Sequence, residues 1–450
     1  MRADVQLLSL IAILSVTASA QAGDDSAAER GKHALFQTAL NSPAWTMHAY
    51  TAALSVSGAA RVPDSEYANA FMEHYGLHPA PYANGGYPMG LRAAPGILTK
   101  GMATDCLLCH GGSILGRSYV GLGNTSLDIQ ALFEDLAAAD GRSPQLPFTF
   151  SNVRGTSEAG AMAVFLLGWR EPNLRLRKSS LDLGLRDDLC EDVPAWWLLK
   201  KKTTMYYTGS VDTHSVRALM QFMLSPLTLP STFDRYESTF ADIQAYIRTL
   251  EPPRYPFPND RDLAHQGERL FAGYCARCHG TYGRDWTYPN KVVPIDVIGT
   301  DPNRYCGISK AFEDYYNSSW FGHEKSNVSA NGFAARSTAG YQAPPLDGIW
   351  ATAPYLHNGS IPTVYHVLNS KARPERYTRS FRTDLQAYDP VRLGWKFESV
   401  GTIKDNSLSP YERRKIYDTR LPGRSNGGHT FGDRLTEAER WAVIEYLKTL

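Results

Sequence analysis

Residues 106–110 read Cys106-Leu107-Leu108-Cys109-His110, and residues 275–279 read Cys275-Ala276-Arg277-Cys278-His279. Both fit one frame, C-x-x-C-H, which is the attachment frame of a c-type haem. The spacing has a physical reason. Two thiols three positions apart lie on one side of a helical turn, where each can add to a haem vinyl group. The histidine that follows is then held under the iron, and its imidazole becomes the proximal ligand. Zinc competes for paired cysteines, but zinc ribbons place their pairs about 15–20 residues apart, and these pairs lie in opposite halves of the chain. A dithiol redox site would need one C-x-x-C in a βαβ setting, and none is visible. Cys106, Cys109, His110, Cys275, Cys278 and His279 are therefore the expected attachment residues of two haem c groups, with His110 and His279 on the irons.

The frames sit in two copies of one plan. Residues 241–250 read ADIQAYIRTL and residues 441–450 read WAVIEYLKTL. Apolar residues recur at helical spacing in both: Phe240, Ile243, Ile247 and Leu250, then Trp441, Ile444, Leu447 and Leu450. Thr436 with Glu439 predicts a capping box for the second. Residues 262–274 predict a helix just before the second frame, with Leu263, Phe271 and Tyr274 on one side. The approach to the first frame, Ala94-Pro95-Gly96-Ile97, contains helix breakers. Residues 251–258, EPPRYPFP, carry four prolines and predict an extended connection. The expected fold is mostly α, with two cytochrome c-like domains and long irregular loops. The boundaries are 1–22 for a signal peptide, 23–255 for the first haem domain and 256–450 for the second.

Composition narrows the partners. The chain of 450 residues has 46 Lys plus Arg against 45 Asp plus Glu, a net charge of +1, so nothing points to nucleic acid. With 43% apolar and 20% charged residues it reads as folded rather than disordered. Residues 5–16, VQLLSLIAILSV, are apolar but too short to span a bilayer, which takes about 20 residues. Small residues follow, with cleavage expected after Ala20 or Ala22. The mature chain is thus expected to be periplasmic or secreted, without a transmembrane segment. In such a compartment Cys190 and Cys306 are either a disulfide or two buried thiols.

The face of each iron opposite its proximal histidine decides between electron transfer and chemistry. For the second haem, His429 is the candidate ligand, in the flexible loop Gly427-Gly428-His429-Thr430-Phe431-Gly432, with glycines that let backbone approach a porphyrin. His357 is its rival. Residues 224–450 contain no methionine, which removes that ligand type from the second half. For the first haem no residue stands out. Met205, Met220 and Met223 read as core. His214 is a ligand, a distal acid/base or a surface residue. Trp196 and Trp197, with Tyr206 and Tyr207, wall a pocket or pack a core. Lys200, Lys201 and Lys202 meet haem propionates or form a solvated turn, and Trp286 is either near the second haem or in the core.

The stretch 348–363, GIWATAPYLHNGSIPT, resembles the TAPYLHNGS-PT signature of the bacterial dihaem cytochrome c peroxidase superfamily, closest to its rubber-oxygenase branch. The tail 425–432, SNGGHTFG, with the closing EYLKTL, resembles the same branch. The resemblance covers about 256–450. It implies that His429 is the distal ligand of a bis-His second haem and that the N-terminal haem binds O₂. In the peroxidases one iron is peroxidatic and the other takes in electrons through a Met-ligated site, and the missing methionine departs from that pattern. The family also holds calcium between its haems, so a calcium ion is a further expected cofactor, with no residues assigned to it. The resulting expectation is an exported dihaem c-type cytochrome that binds haem and transfers electrons. Its first haem is the candidate centre for peroxide reduction or oxygenation of an organic substrate. The alternative is a pure electron carrier with both irons six-coordinate. Expected partners are a small redox protein or a quinol-linked electron donor or acceptor and, for an enzyme, a small or apolar substrate.

Overall fold

Ser26 accepts a hydrogen bond from the Glu29 N–H and opens a helix over Ala27–Gln37. Asp260 caps Arg261–Tyr274 through the Leu263 N–H. Thr436 and Glu439 form the predicted capping box of Glu437–Leu447. Each side-chain oxygen satisfies an N–H that the first helical turn leaves unpaired. The computed structural model describes residues 26–59, 62–96, 99–226, 228–324, 334–401 and 408–450. The signal-peptide expectation for 1–22 lies outside them.

These helices form two crossings of one kind. Ala27–Gln37 packs along Pro230–Ile247, and Arg261–Tyr274 packs along Glu437–Leu447. A glycine sits at each contact. A Cβ on Gly31 would stand 1.9 Å from the Asp242 carbonyl oxygen, and one on Gly267 would stand 1.9 Å from that of Ala442. Only glycine lets the paired backbones come this close. Arg30 secures the first crossing with two 2.8 Å bonds to the Asp242 carboxylate.

Three expectations change in detail. The first terminal helix begins at Pro230, eleven residues before the periodic stretch, because proline suits the first helical position. The buried face of Arg261–Tyr274 is Ala264, Gly267 and Phe271, and Tyr274 is exposed. Small residues there serve the close crossing better than the larger ones expected. The breaker-rich approach to the first frame is a hairpin, Leu91–Pro95 against Lys100–Thr104, with Trp45–Thr46 as a third strand.

The molecule is mostly α, and among the described residues its strands form short antiparallel sheets of two or three strands. Residues 251–258 are irregular, as the prolines demand. Trp350 donates to the Pro253 carbonyl (2.9 Å) and Tyr255 to that of Pro390 (2.8 Å). The two largest cores both draw on residues either side of position 255. One joins Leu107, Trp196 and Phe240 to Phe312, Tyr316 and Phe321. The other joins Ile114, Leu122 and Trp197 to Phe271, Trp350 and Tyr446. Cys190 and Cys306 are free thiols, Cys190 buried beside Tyr417 and Cys306 exposed, so the disulfide alternative falls away. Among the described residues no helix is long and apolar enough to cross a membrane.

Candidate haem site

Both C-x-x-C-H frames form a single helical turn, Leu107–His110 and Ala276–His279. The first turn is set by the residue before it. Asp105 accepts from the Leu107 N–H at 2.8 Å and pairs with buried Arg92, which also donates to the carbonyls of Leu35 and Phe36. The first frame is thereby tied to the end of the first helix. Burial pushes the thiols of Cys106, Cys109 and Cys275 up to about 12. Redox dithiols need the opposite shift. Among the described residues no three His, Cys, Asp or Glu side chains gather as a metal cluster, which leaves zinc without a donor set and calcium without assigned residues.

The residues around the second frame fit a haem group. His279 is half-buried, and its Nδ1 lies 2.8 Å from the Pro344 carbonyl oxygen. That bond fixes the tautomer and leaves Nε2 for a metal. His429 faces it, with ring centroids 6.2 Å apart and planes at 62°. An iron bound at about 2 Å from each ring nitrogen, as imidazole–metal bonds run, needs centroids about 6 Å apart. No hydrogen bond joins the two rings, and the His429 Nδ1 is buried without a partner. Burial, reinforced by His279 and Arg373, pushes His429 down to about 4, so it is the neutral imidazole a metal requires. Val293, Ile298 and Tyr341, with Phe431 and Cys278 against them, supply the apolar wall.

The glycines of the His429 loop do other work than expected. A Cβ on Gly428 would lie 2.2 Å from the Gly299 carbonyl carbon, so this glycine admits a crossing strand of backbone. His429 itself takes φ +44°, and its N–H donates to the Ile298 carbonyl at 2.7 Å. The rival His357 stacks on Tyr341 at 4.1 Å, and burial pushes it down to about 3. Its Nε2 is buried without a partner, but no ring contact joins it to His279.

The first frame is built differently. The His110 ring stacks on Trp196 at 4.6 Å, and burial pushes it down to about 4. The Pro194 carbonyl lies beside it, though Nδ1 falls short of good hydrogen-bond geometry. Among the described residues no second histidine ring packs against His110. His214 is partly exposed and held at 2.9 Å by Asp212. Met205, Met220 and Met223 are buried in cores. The adjacent Trp197 belongs to the core against which Cys275 and Ala276 pack, and donates to the Asp347 carbonyl at 2.8 Å. The Trp196–Trp197 pair thus reaches from one frame to the surroundings of the other. Lys200 pairs with Glu251, while Lys201 pairs with Asp347 at 2.7 Å and lies over Tyr282 and the exposed Trp286. A cavity of about 440 Å³ is lined by Tyr206, Gln221, Arg304, Cys306, Phe312 and Tyr316, among others, and Arg304 pairs there with Glu191. None of Cys106, Cys109 and His110 lines it, but Phe312 and Tyr316 share a core with Leu107 and Trp196. The Tyr316 hydroxyl is buried without a partner.

Residues 340–378 match a protein family described as RoxA-like, cytochrome c-like. That match supports a RoxA-like cytochrome relationship, and a cytochrome c-like region implies covalently bound haem c. The matched residues support both faces of the second frame. Pro344 orients His279, Asn358 donates to the carbonyls of Gly423 and Ser425 before the His429 loop, and Arg373 donates into that loop. The chain is also similar to two uncharacterised proteins of Sinorhizobium fredii. Protein y4iM is 30% identical over 294 residues, 57% of this chain and 64% of the relative. Protein y4iJ is 30% identical over 265 residues, 45% of this chain and 41% of the relative. The aligned region covers less than two thirds of the length of either.

Sequence reasoning missed Pro194, Pro344, Asn358 as a loop anchor, and Arg373. Their partners at the two frames lie more than fifty residues away, and no local spacing marks a carbonyl or a guanidinium for such use.

Proposed function

We propose that this chain is an exported dihaem c-type cytochrome of two haem units, 23–255 and 256–450, whose second haem handles electrons and whose first haem is the reactive centre. The observation that carries the reading is the asymmetry between the frames: His279 is faced by His429 at 6.2 Å, and among the described residues no histidine ring faces His110. Bound haem c supplies a redox iron that transfers electrons when both axial positions are filled and admits a small ligand when one is open.

The chain's residues divide the work. Cys275 and Cys278 would anchor the second group, His279 and His429 would hold its iron, and Pro344 orients His279. Cys106 and Cys109 would anchor the first, and His110 would hold its iron. Trp196, stacked on His110, and Trp197, in the core beside Cys275, are the proposed route for electrons between them. His214, partly exposed and bound to Asp212, is a weaker candidate for the reaction. The 440 Å³ cavity, lined from both halves of the chain, is within the usual size of a small-ligand site, about 300–1,000 Å³, and supports an organic substrate. The reaction is peroxide reduction or oxygenation of that substrate. The proposed electron partner is a small redox protein or a quinol-linked donor or acceptor.

Carbon monoxide or cyanide added to the purified holoprotein tests the reading by optical spectroscopy. One haem is expected to respond and the other to remain low-spin. No response from either leaves a pure carrier. In His429→Ala the second haem is expected to turn high-spin while both stay attached. An unchanged low-spin spectrum removes His429 from the ligands.

A further inference from the structure

We propose that Arg373 is the positioning residue that holds His429 in place opposite His279, a role that rests on the reading of His429 as an iron ligand. All five N–H donors of its guanidinium go to backbone carbonyls. Nε donates to His366 (2.9 Å). One terminal nitrogen donates to Asn426 (2.6 Å) and Gly428 (2.7 Å). The other donates to Val367 (3.2 Å) and to His429 itself (3.2 Å). Two of these acceptors belong to the short helix Val364–Leu368, and three belong to the loop that carries His429. Asn426 returns a bond to the Pro374 carbonyl at 2.8 Å. The fork therefore staples the ligand loop to a fixed helix from one side, while Ile298 and Gly299 hold it from the other.

The staple has a physical task. His429 sits in the left-handed region, which a histidine keeps only where its surroundings over-determine it. His279 is tethered by the neighbouring Cys278, whereas His429 is reached through a glycine loop with no covalent link. Without the guanidinium, five carbonyls lose their donor and the loop can swing away from the iron. Lysine carries the same charge but only three donors on a point, so it cannot restore the fork.

The holoproteins of Arg373→Met, Arg373→Lys, His429→Ala and Arg440→Lys test the role. Arg440 is a buried arginine that donates to the Leu368 and Leu435 carbonyls without touching residues 426–429, so it reports a merely structural loss. Electron paramagnetic resonance and the rate of cyanide binding are measured for each. In Arg373→Met the low-spin signal of the second haem is expected to fall, cyanide binding to quicken about tenfold or more, and added imidazole to restore the low-spin signal. Arg373→Lys is expected to lie between, and Arg440→Lys to match the parent. Parental spectra and rates in both Arg373 variants, with His429→Ala turned high-spin, overturn the positioning role alone. If Arg373→Met does not fold, Arg373→Lys decides by the same criteria. A low-spin, unchanged His429→Ala overturns the ligand reading and this role with it.

Discussion

His429 occupies a backbone region that costs a non-glycine residue about 1 kcal/mol or more, and it does so half-buried and neutral. Its candidacy was legible because Gly-Gly-His before a helix is a local pattern and the second half has no methionine to compete. The Arg373 staple was not legible, since its carbonyl partners span residues 366–429 and depend on backbone direction. His78 offers a test beside the first frame, since its partner Asn124 donates its N–H to the Cys109 carbonyl. It is fully enclosed, its Nε2 lies 3.1 Å from the Asn124 side chain, and burial pushes it down to about 4. The unfolded chain binds a proton there near pH 6.5, so the folded state binds fewer protons between the two values. Stability from this group is complete above about pH 6.5 and is lost as pH falls towards 4. At about 1.4 kcal/mol per unit, the whole window amounts to on the order of 3 kcal/mol. Urea unfolding between pH 7 and 4.5 is expected to lose stability less steeply in His78→Gln than in the parent. Equal slopes would refute the assignment.

The helices show how far periodicity carries. The stretches 241–250 and 441–450, the capping box and the helix before the second frame are all present, because capping and amphipathic spacing are local. The crossing glycines are not local features. Gly31 earns its place from Asp242 and Gly267 from Ala442, each a distant backbone. Adding one methyl at either point forces main chains apart. Gly31→Ala and Gly267→Ala are each expected to destabilise the holoprotein by about 1–3 kcal/mol, the range of overpacked sites. Chemical denaturation measures this, and a change below the scatter of surface substitutions, about 0.5 kcal/mol, would show that the helices separate freely.

At the scale of the whole molecule, two haem frames do not make two independent bodies. Phe312, Tyr316 and Phe321 follow the proline linker yet complete the first core, and Ile114, Leu122 and Trp197 precede it yet complete the second. Arg414 reaches back to buried Asp128 at 2.9 Å. Calorimetry of the full holoprotein is expected to give one cooperative transition, and a 256–450 fragment to aggregate with its exposed aromatic faces. A soluble, folded fragment with a native low-spin spectrum would contradict this.

The order of residues alone determined what is short-ranged: the two C-x-x-C-H spacings, helix caps, a proline-rich connection. These need only neighbours along the chain. The tertiary structure decided which histidine faces which, that Trp196 lies on His110, that a guanidinium holds the His429 loop, and that both cores are shared. Those outcomes depend on packing and on backbone carbonyls, which every residue carries alike and no side-chain pattern announces.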